Sequence, residues 1–398
     1  MSAPRIVSPQ RRIILRAGTA ALATTTLGLP GLVRAAAGGP VKIGILQPFS
    51  GGLEALGEQG FQGGKLAIDE INDAGGLLGH KVEFVRSDTR TDPKTAVERT
   101  QELIRRDGVD AILGPLTSAE RDAVRPTIER AKVPLLYATD YEGGTCSRYI
   151  TCFSALPAAW VDPLIGYASK NVGKKLYLIG SDYIWPKRMN EAVRASAQKN
   201  GATVLGEEYV PFGIKDYAST LRKIEASGAD TLVVSVVGAD AVTLIKQFTG
   251  AGLKKKLRVL FFGFSENYLA GLSTQESDDI VTVSSFTSTL KKPEAVAFVK
   301  KVRDHFGPQT IVSNNLYAHY NLMRLYFGGV QRAKSADKEK VSDAMLDQTI
   351  PTGNGDVYLR ASDRHVDLNT VISVAKAGSL DLLQDVGRVV APSQCTKA

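Results

Sequence analysis

Val41-Lys42-Ile43-Gly44-Ile45-Leu46 is a short apolar strand signal, and the run of elements it begins decides the fold. Gly-rich residues lead into an amphipathic stretch from Gly57 to Asp73, and Val82-Glu83-Phe84-Val85 then reads as a second strand. The alternation continues with a helix from Pro93 to Asp107, a strand at Asp110-Ala111-Ile112-Leu113, a helix from Ser118 to Lys132 and a strand from Val133 to Tyr137. Continuous apolar strands separated by helices of 3.6-residue period mark a parallel sheet covered on both faces, because each strand is then buried on both sides.

The pattern restarts at Leu176-Tyr177-Leu178-Ile179-Gly180. A helix from Pro186 to Asn200, a strand from Val204 to Val210, a helix from Tyr217 to Ser227 and a strand from Leu232 to Val236 come next, and Ala241 to Ala251 and Arg258 to Phe264 extend the series. Beyond Val281 come helices at Pro293 to Phe306, Leu316 to Ala333 and Lys338 to Gln348, then strand signals at Val357-Tyr358-Leu359 and Thr370 to Ala375. These late elements are too few for a third domain and are expected to complete the first two. The fold class is α/β, with two doubly wound parallel-sheet lobes in tandem.

The chain has 398 residues with 49 Lys+Arg against 41 Asp+Glu, a formal charge of +8 that raises a polyanion partner. The position of the charges removes that reading. Residues 1–37 hold Arg5, Arg11, Arg12, Arg16 and Arg34 and no acid, with an uncharged run before Arg34 and Ala35-Ala36-Ala37 after it. This is the layout of a cleaved secretory signal, and Gln10-Arg11-Arg12-Ile13-Ile14-Leu15-Arg16 resembles a twin-arginine export head, the alternative being a general signal with two chance arginines. Without it, 44 basic and 41 acidic groups remain, a net charge of +3. No nucleic-acid motif revives a polyanion partner, and no later segment is apolar enough for a membrane span.

Export to an oxidising compartment makes the cysteines readable. Cys146 and Cys152 lie close together in a loop-like segment and are expected to form a small disulfide, the alternative being two free thiols; Cys395 has no obvious partner. Metal-ligand spacing is absent around His80, His305, His319 and His365, so no metal is expected. Phosphate loops, HExxH and nucleophile elbows are absent too, and neither an enzyme nor a cofactor is expected.

What the chain does place at strand-to-helix junctions is hydroxyls, free amides and aromatic rings: Ser50, Thr117-Ser118 and Tyr137-Ala138-Thr139 in the first half, and Tyr183, Trp185, Val237 and Ser265-Glu266 in the second. Carboxyl ends of strands in open α/β sheets are where ligands bind. Such a set suits a small, neutral or zwitterionic solute. Any single Ser or Thr there also reads as a helix N-cap.

The chain from Val41 to about Val386 resembles the type I periplasmic binding proteins of ABC importers, in the branched-chain amino acid and amide branch. The resemblance rests on Ile43-Gly44-Ile45-Leu46-Gln47-Pro48-Phe49-Ser50-Gly51 and on Ala67-Ile68-Asp69-Glu70-Ile71-Asn72 with Gly75-Gly76 and Leu78-Gly79. Asp140-Tyr141-Glu142-Gly143 and Gly180-Ser181-Asp182-Tyr183-Ile184-Trp185-Pro186 look like the urea and short-chain amide binding subgroup. Leu156-Pro157-Ala158-Ala159-Trp160 departs from that subgroup's hinge, and with Trp185 it points to a different or bulkier ligand.

The resemblance implies that Ser118 and Thr139, with the backbone near Tyr137, hold the solute's polar head. Tyr183 closes over it, Trp185 walls the pocket, and Glu266 accepts an ammonium or amide N–H. It also implies lobes of 38–155 with 288–348 and 156–287 with 349–392, joined by crossings near 153–158, 283–290 and 347–354. The function implied is periplasmic capture of urea, a short amide or an amino-acid-like solute by a monomer or weak dimer, for delivery to a membrane permease. A branched-chain amino acid or a bulkier aromatic solute is the alternative ligand, and a sensor acting through a protein partner the alternative role.

Overall fold

The structure is a computed structural model that describes residues 39–395. The expected signal segment, with its arginine pair, lies outside the described residues.

The first sheet is built from β1 (Lys42–Gln47), β2 (Glu83–Asp88), β3 (Ala111–Leu113), β4 (Leu135–Tyr137) and β5 (Ile150–Cys152), interleaved with α1 (Glu54–Asp73), α2 (Pro93–Arg105) and α3 (Ser118–Ala131). Its order is β2-β1-β3-β4-β5, and every pairing is parallel. Ile43, Ile45, Ile112 and Leu113 are fully buried, as strands covered on both faces must be.

The second half runs through α4 (Pro157–Asn171), β6 (Lys175–Ser181), α5 (Ile184–Lys199), β7 (Thr203–Val210), α6 (Ala218–Ala226), β8 (Thr231–Ser235), α7 (Gly238–Gly250), β9 (Arg258–Phe261), α8 (Glu266–Gly271), α9 (Thr274–Ser277) and β10 (Ile280–Ser284). The chain then gives α10 (Pro293–Phe306), α11 (Asn314–Ala333), α12 (Lys338–Ala344), β11 (Gln348–Thr352), β12 (Gly355–Leu359), β13 (Val366–Asp367), β14 (Asn369–Lys376) and β15 (Ser379–Arg388). The second sheet is ordered β15-β14-β10-β9-β8-β6-β7. Strands β6 to β10 repeat the winding of the first sheet, each sheet having its first strand between its second and third. The two late strands are antiparallel additions at one edge.

Helix α4 was not expected, because Pro157 and Pro163 disguise it. Pro157 takes the first turn, where a missing N–H costs nothing. Pro163 sits inside the helix and leaves the carbonyl of Ala159 without its usual amide. The Thr370 hydroxyl from β14 donates to that carbonyl at 2.9 Å.

Strand β5 passes to α4 through Phe153–Leu156, and β10 passes to α10 through the segment after Ser284. At 347–354, where a third crossing was expected, the chain enters the three-stranded sheet β11-β12-β13. That sheet leans on α11, where Gln348 Nε2 donates to the Leu325 carbonyl at 3.1 Å. It also reaches the edge of the first sheet, where Cys152 N donates to Arg364 O at 3.0 Å.

The cysteine expectation is overturned. Cys146 is bonded to Cys395, and Cys152 is a buried free thiol. Cys152 ends β5 in register with Tyr137 and faces the first lobe's core with Tyr141 and Leu156, where burial pushes its thiol up to about 12. Cys146 lies instead in an exposed loop that meets the returning C-terminal segment. There Gly144 N donates to Gln394 Oε1 at 2.9 Å, and Ala391 is buried in the same core. A partner 249 residues away is not readable from spacing.

Candidate functional site

The carboxyl ends of β3, β4 and β5 in one sheet face those of β6, β8, β9 and β10 in the other, and one cavity lies between them. The space open to the centre of a water molecule is about 70 Å³. The rims of the two halves touch: Ala239 N at the start of α7 donates to the Gly52 carbonyl at 3.4 Å. Gly238 packs so close that an added Cβ would fall 2.5 Å from Leu53 Cδ2.

Of the residues expected at the site, Thr117, Ser118, Tyr137, Ala138, Thr139, Tyr183, Trp185, Val237 and Ser265 all line this cavity. Thr117 is also the N-cap of α3, in a reciprocal capping box with Glu120. Tyr183 and Trp185 stack at 6.4 Å between ring centres, and Phe212 backs Tyr183.

Ser50 and Glu266 stand outside it. The Ser50 hydroxyl donates to Asp88 Oδ2 at 2.7 Å, while Phe49 N and Arg90 N donate to Asp88 Oδ1, so this group holds the loop after β1. Burial opposes ionisation of Asp88, yet these hydrogen bonds hold its carboxyl below the usual range. Glu266 opens α8 but turns toward the crossing after β10, accepting from Thr287 Oγ1 at 3.0 Å and Ser288 N at 2.7 Å. The role expected of it, accepting the solute's nitrogen, would need a side chain directed the other way.

Three residues outside the expected set shape the site. Asp140, one position beyond Thr139, lines the cavity. Its Oδ2 would lie 2.8 Å from a Cβ on Gly263, a residue with φ +81°, so the missing side chain leaves room for the carboxyl. No hydrogen bond or salt bridge reaches it among the described residues, and burial pushes its pKa up to about 7. Trp160, read from sequence as part of a hinge departure and, with Trp185, as a pointer to a bulkier ligand, is a buried wall residue packed on Phe262. Glu142 accepts from Ser118 Oγ at 2.6 Å and from buried Arg121 Nη2 at 2.7 Å, with the Arg121 guanidinium over the Tyr137 and Tyr141 rings. The signal for Asp140 and Glu142 was their place at the end of β4, but nothing in the spacing said where either side chain points.

The remaining wall is mixed: Leu53, Leu116, Phe153, Phe264 and Tyr268 give it aliphatic and aromatic surface, and Ser154, Ser284, Ser285, Asn314 and Asn315 give it polar groups. Burial pushes the Tyr268 phenol up to about 12, so it stays protonated. Among the described residues, no Lys, Arg or His lines the cavity, and no cluster of His, Cys, Asp and Glu could hold a metal. No helix there is long and apolar enough to cross a membrane. The arrangement can enclose a small molecule with an apolar body and present it with hydroxyls, indole N–H groups and one carboxyl.

Comparison with known proteins agrees with this geometry. A family model described as periplasmic binding protein matches residues 40–379. Among curated proteins, the Leu/Ile/Val-binding protein homolog 8 of Brucella abortus (strain 2308) is 27% identical over 351 residues, 83% of this chain and 86% of that protein. Among solved structures, a solute-binding protein of an ABC transporter from R. palustris in complex with benzoate superposes with TM-score 0.82 at 21% identity, covering 90% of this chain and 100% of that one. The branched-chain amino acid binding protein LivJ of Streptococcus pneumoniae, in complex with isoleucine, gives 0.78 at 22% identity, over 86% of this chain and 99% of that one.

Proposed function

This chain belongs to the periplasmic binding protein family, and from that premise we propose that it is the exported solute receptor of an ABC importer. It binds a small molecule between two lobes and releases it unchanged, making and breaking no covalent bond. The observation that carries this reading is the cavity at the carboxyl ends of both sheets, where two independently wound halves meet over a ligand-sized space. Hinge movement at the crossings through Phe153–Leu156, after Ser284 and between β13 and β14 would open it, and solute would draw the lobes together. Closure removes water, so each hydrogen bond to the solute lies in a low-dielectric site and discriminates against molecules lacking the matching group. The closed form is then the one a membrane permease would recognise.

Within the expected range, urea is too small to cover walls built from Tyr183, Trp185, Trp160 and Phe264. A solute with an apolar body suits them better, on the scale of the isoleucine and benzoate held by the two structural neighbours. Calorimetry of the full chain against urea, short amides, amino acids and aromatic acids tests this. One class should bind without turnover, and Tyr183→Ala should weaken that binding by at least about tenfold, since an aromatic lid over the solute is removed. Product formation, or an unchanged affinity in Tyr183→Ala, overturns the assignment.

A further inference from the structure

The last residues of the chain return to the first lobe after the second sheet is complete. β15 ends at Arg388 on the edge of that sheet, and three positions later Ala391 is buried in the first lobe's core. A buried ion pair outside the cavity then holds the segment. Arg360 Nη1 donates to the Ala391 carbonyl at 2.8 Å, Gln394 N donates to Asp363 Oδ2 at 2.8 Å, and Arg360 Nη2 meets Asp363 Oδ2 at 2.6 Å. Such a pair adds little net stability, but breaking it is costly, so it keeps the segment in one place. What the segment touches is the loop after β4. Gly143 and Gly144 turn there with φ +89° and +86°, which glycine adopts freely. Gln394 Oε1 accepts from Gly144 N at 2.9 Å, Cys395 is bonded to Cys146, and Arg125 Nη2 from α3 donates to the Cys146 carbonyl at 2.7 Å. Immediately before the two glycines stands Glu142, which accepts the Ser118 proton at 2.6 Å. Ser118 lines the cavity, and a hydroxyl so engaged offers a solute lone pairs only. A relay thus runs from Cys395 and Gln394 through the 143–146 turn to Glu142, and from Glu142 to the Ser118 hydroxyl.

We propose that Gln394 and the Cys146–Cys395 bond are positioning groups for the solute site, so that the oxidised protein captures solute more tightly than the reduced one. This rests on the receptor reading and adds a control to it. Cys146 is exposed, so a soluble dithiol reaches the bond, whereas Cys152 is fully buried and takes no part. The dithiol gives up two electrons and two protons and closes to its own disulfide; the Cys146–Cys395 bond breaks, and each of its sulfurs becomes a thiol. The turn then keeps only its hydrogen bonds, Glu142 samples other positions, and the Ser118 hydroxyl is free to aim its proton elsewhere. Solute has to order these groups again as it binds, and affinity falls by that cost.

The test is calorimetry on the full chain, untreated and after dithiothreitol, with L-isoleucine and benzoate as probes. Whichever binds should bind roughly three- to tenfold more weakly to the reduced protein, the scale of ordering one or two side chains. Gln394→Ala should weaken the oxidised protein in the same direction, and Gln394→Glu, which keeps an acceptor for Gly144 N, should restore it. In Ser118→Ala the effect of reduction should fall below about twofold, because the relay ends at that hydroxyl. A loss as large in Ser118→Ala as in wild type means that the bond acts through general stability, and it overturns the inference. Equal affinity of the oxidised and reduced proteins, or Gln394→Glu behaving as Gln394→Ala, overturns it too, and each of these results leaves the receptor reading intact. Amide exchange gives a readout without solute: reduction should speed exchange at Gly144 and Thr145 and leave β8 unchanged, and an unmoved turn overturns the inference. If neither these probes nor the wider solute panel binds either form, the receptor reading falls and takes the inference with it.

Discussion

Asp140 shapes how this protein responds to pH even without a solute. Burial raises its pKa to about 7, so the folded chain holds a proton that the unfolded chain gives up in the ordinary carboxylate range. Its contribution to stability is complete below about pH 4, shrinks as the pH rises and is gone beyond about 7. His319 and His365 act in the opposite sense. Burial pushes both down to about 4, so their contribution is present above the usual histidine range and is lost as the pH falls toward 4. The difference between wild type and Asp140→Asn isolates the carboxyl. Thermal unfolding should show the variant gaining on wild type as the pH goes from about 5 to about 8, and parallel curves would mean that Asp140 is not held out of water. The neutral His319 ring is legible in the contacts: Nδ1 donates to the Asn315 carbonyl at 2.8 Å, which leaves Nε2 to accept from Gln47 Nε2 at 3.0 Å. Sequence placed Thr139 and Asp140 beside each other at the end of a strand. What made one of them the cavity's carboxyl was a glycine more than a hundred positions away, and that could not be read along the chain.

Helix α1 shows which parts of an element sequence can reveal. Its amphipathic period was visible from Gly57 to Asp73, and its start at Glu54 differs only by one poorly capped turn. The purpose of Gly57, Gly60, Gly63 and Gly64 was hidden until the loop after β1, the first sheet and α11 came alongside. A Cβ on Gly57 would lie 1.9 Å from the Pro48 carbonyl oxygen, and one on Gly63 would lie 2.3 Å from that of Leu316. These are backbone atoms, so α1 would have to move off the loop after β1 in the first case and off α11 in the second. Gly63→Ala should therefore destabilise the protein by about 1–3 kcal/mol, the usual cost of overpacking, although alanine is the better helix former by about 1 kcal/mol. A denaturation midpoint equal to or above wild type would show that α1 and α11 can separate freely. Helix α4 failed to declare itself for a related reason. Pro163 reads as a breaker until Thr370, far along the chain, supplies the missing donor. The alternating strands and helices were legible because each is a local pattern. β5 is three residues long and β15 is an exposed edge, so neither carried the continuous apolar run by which buried strands are recognised.

For the whole molecule, the two windings followed from the order of elements, their meeting over a shared cavity came with the family resemblance, and the disulfide pairing followed from neither. The Cys146–Cys395 bond ties the last described residue to a loop of the first lobe, six residues beyond Asp140. Closing a loop of 249 residues restricts the unfolded chain by roughly 5 kcal/mol in the chain-entropy treatment. Cys395→Ser should accordingly unfold at a clearly lower temperature than wild type under oxidising conditions and at the same temperature once both are reduced; coincident oxidised curves would mean that the bond adds nothing to stability. The same bond changes what a cut in the backbone means. Everything from residue 147 to residue 394 lies inside one covalent ring, and that span includes the whole of the second sheet. A protease that nicks an exposed turn there produces two strands of peptide and still a single molecule, with both faces of the cavity attached, until a reductant opens the ring.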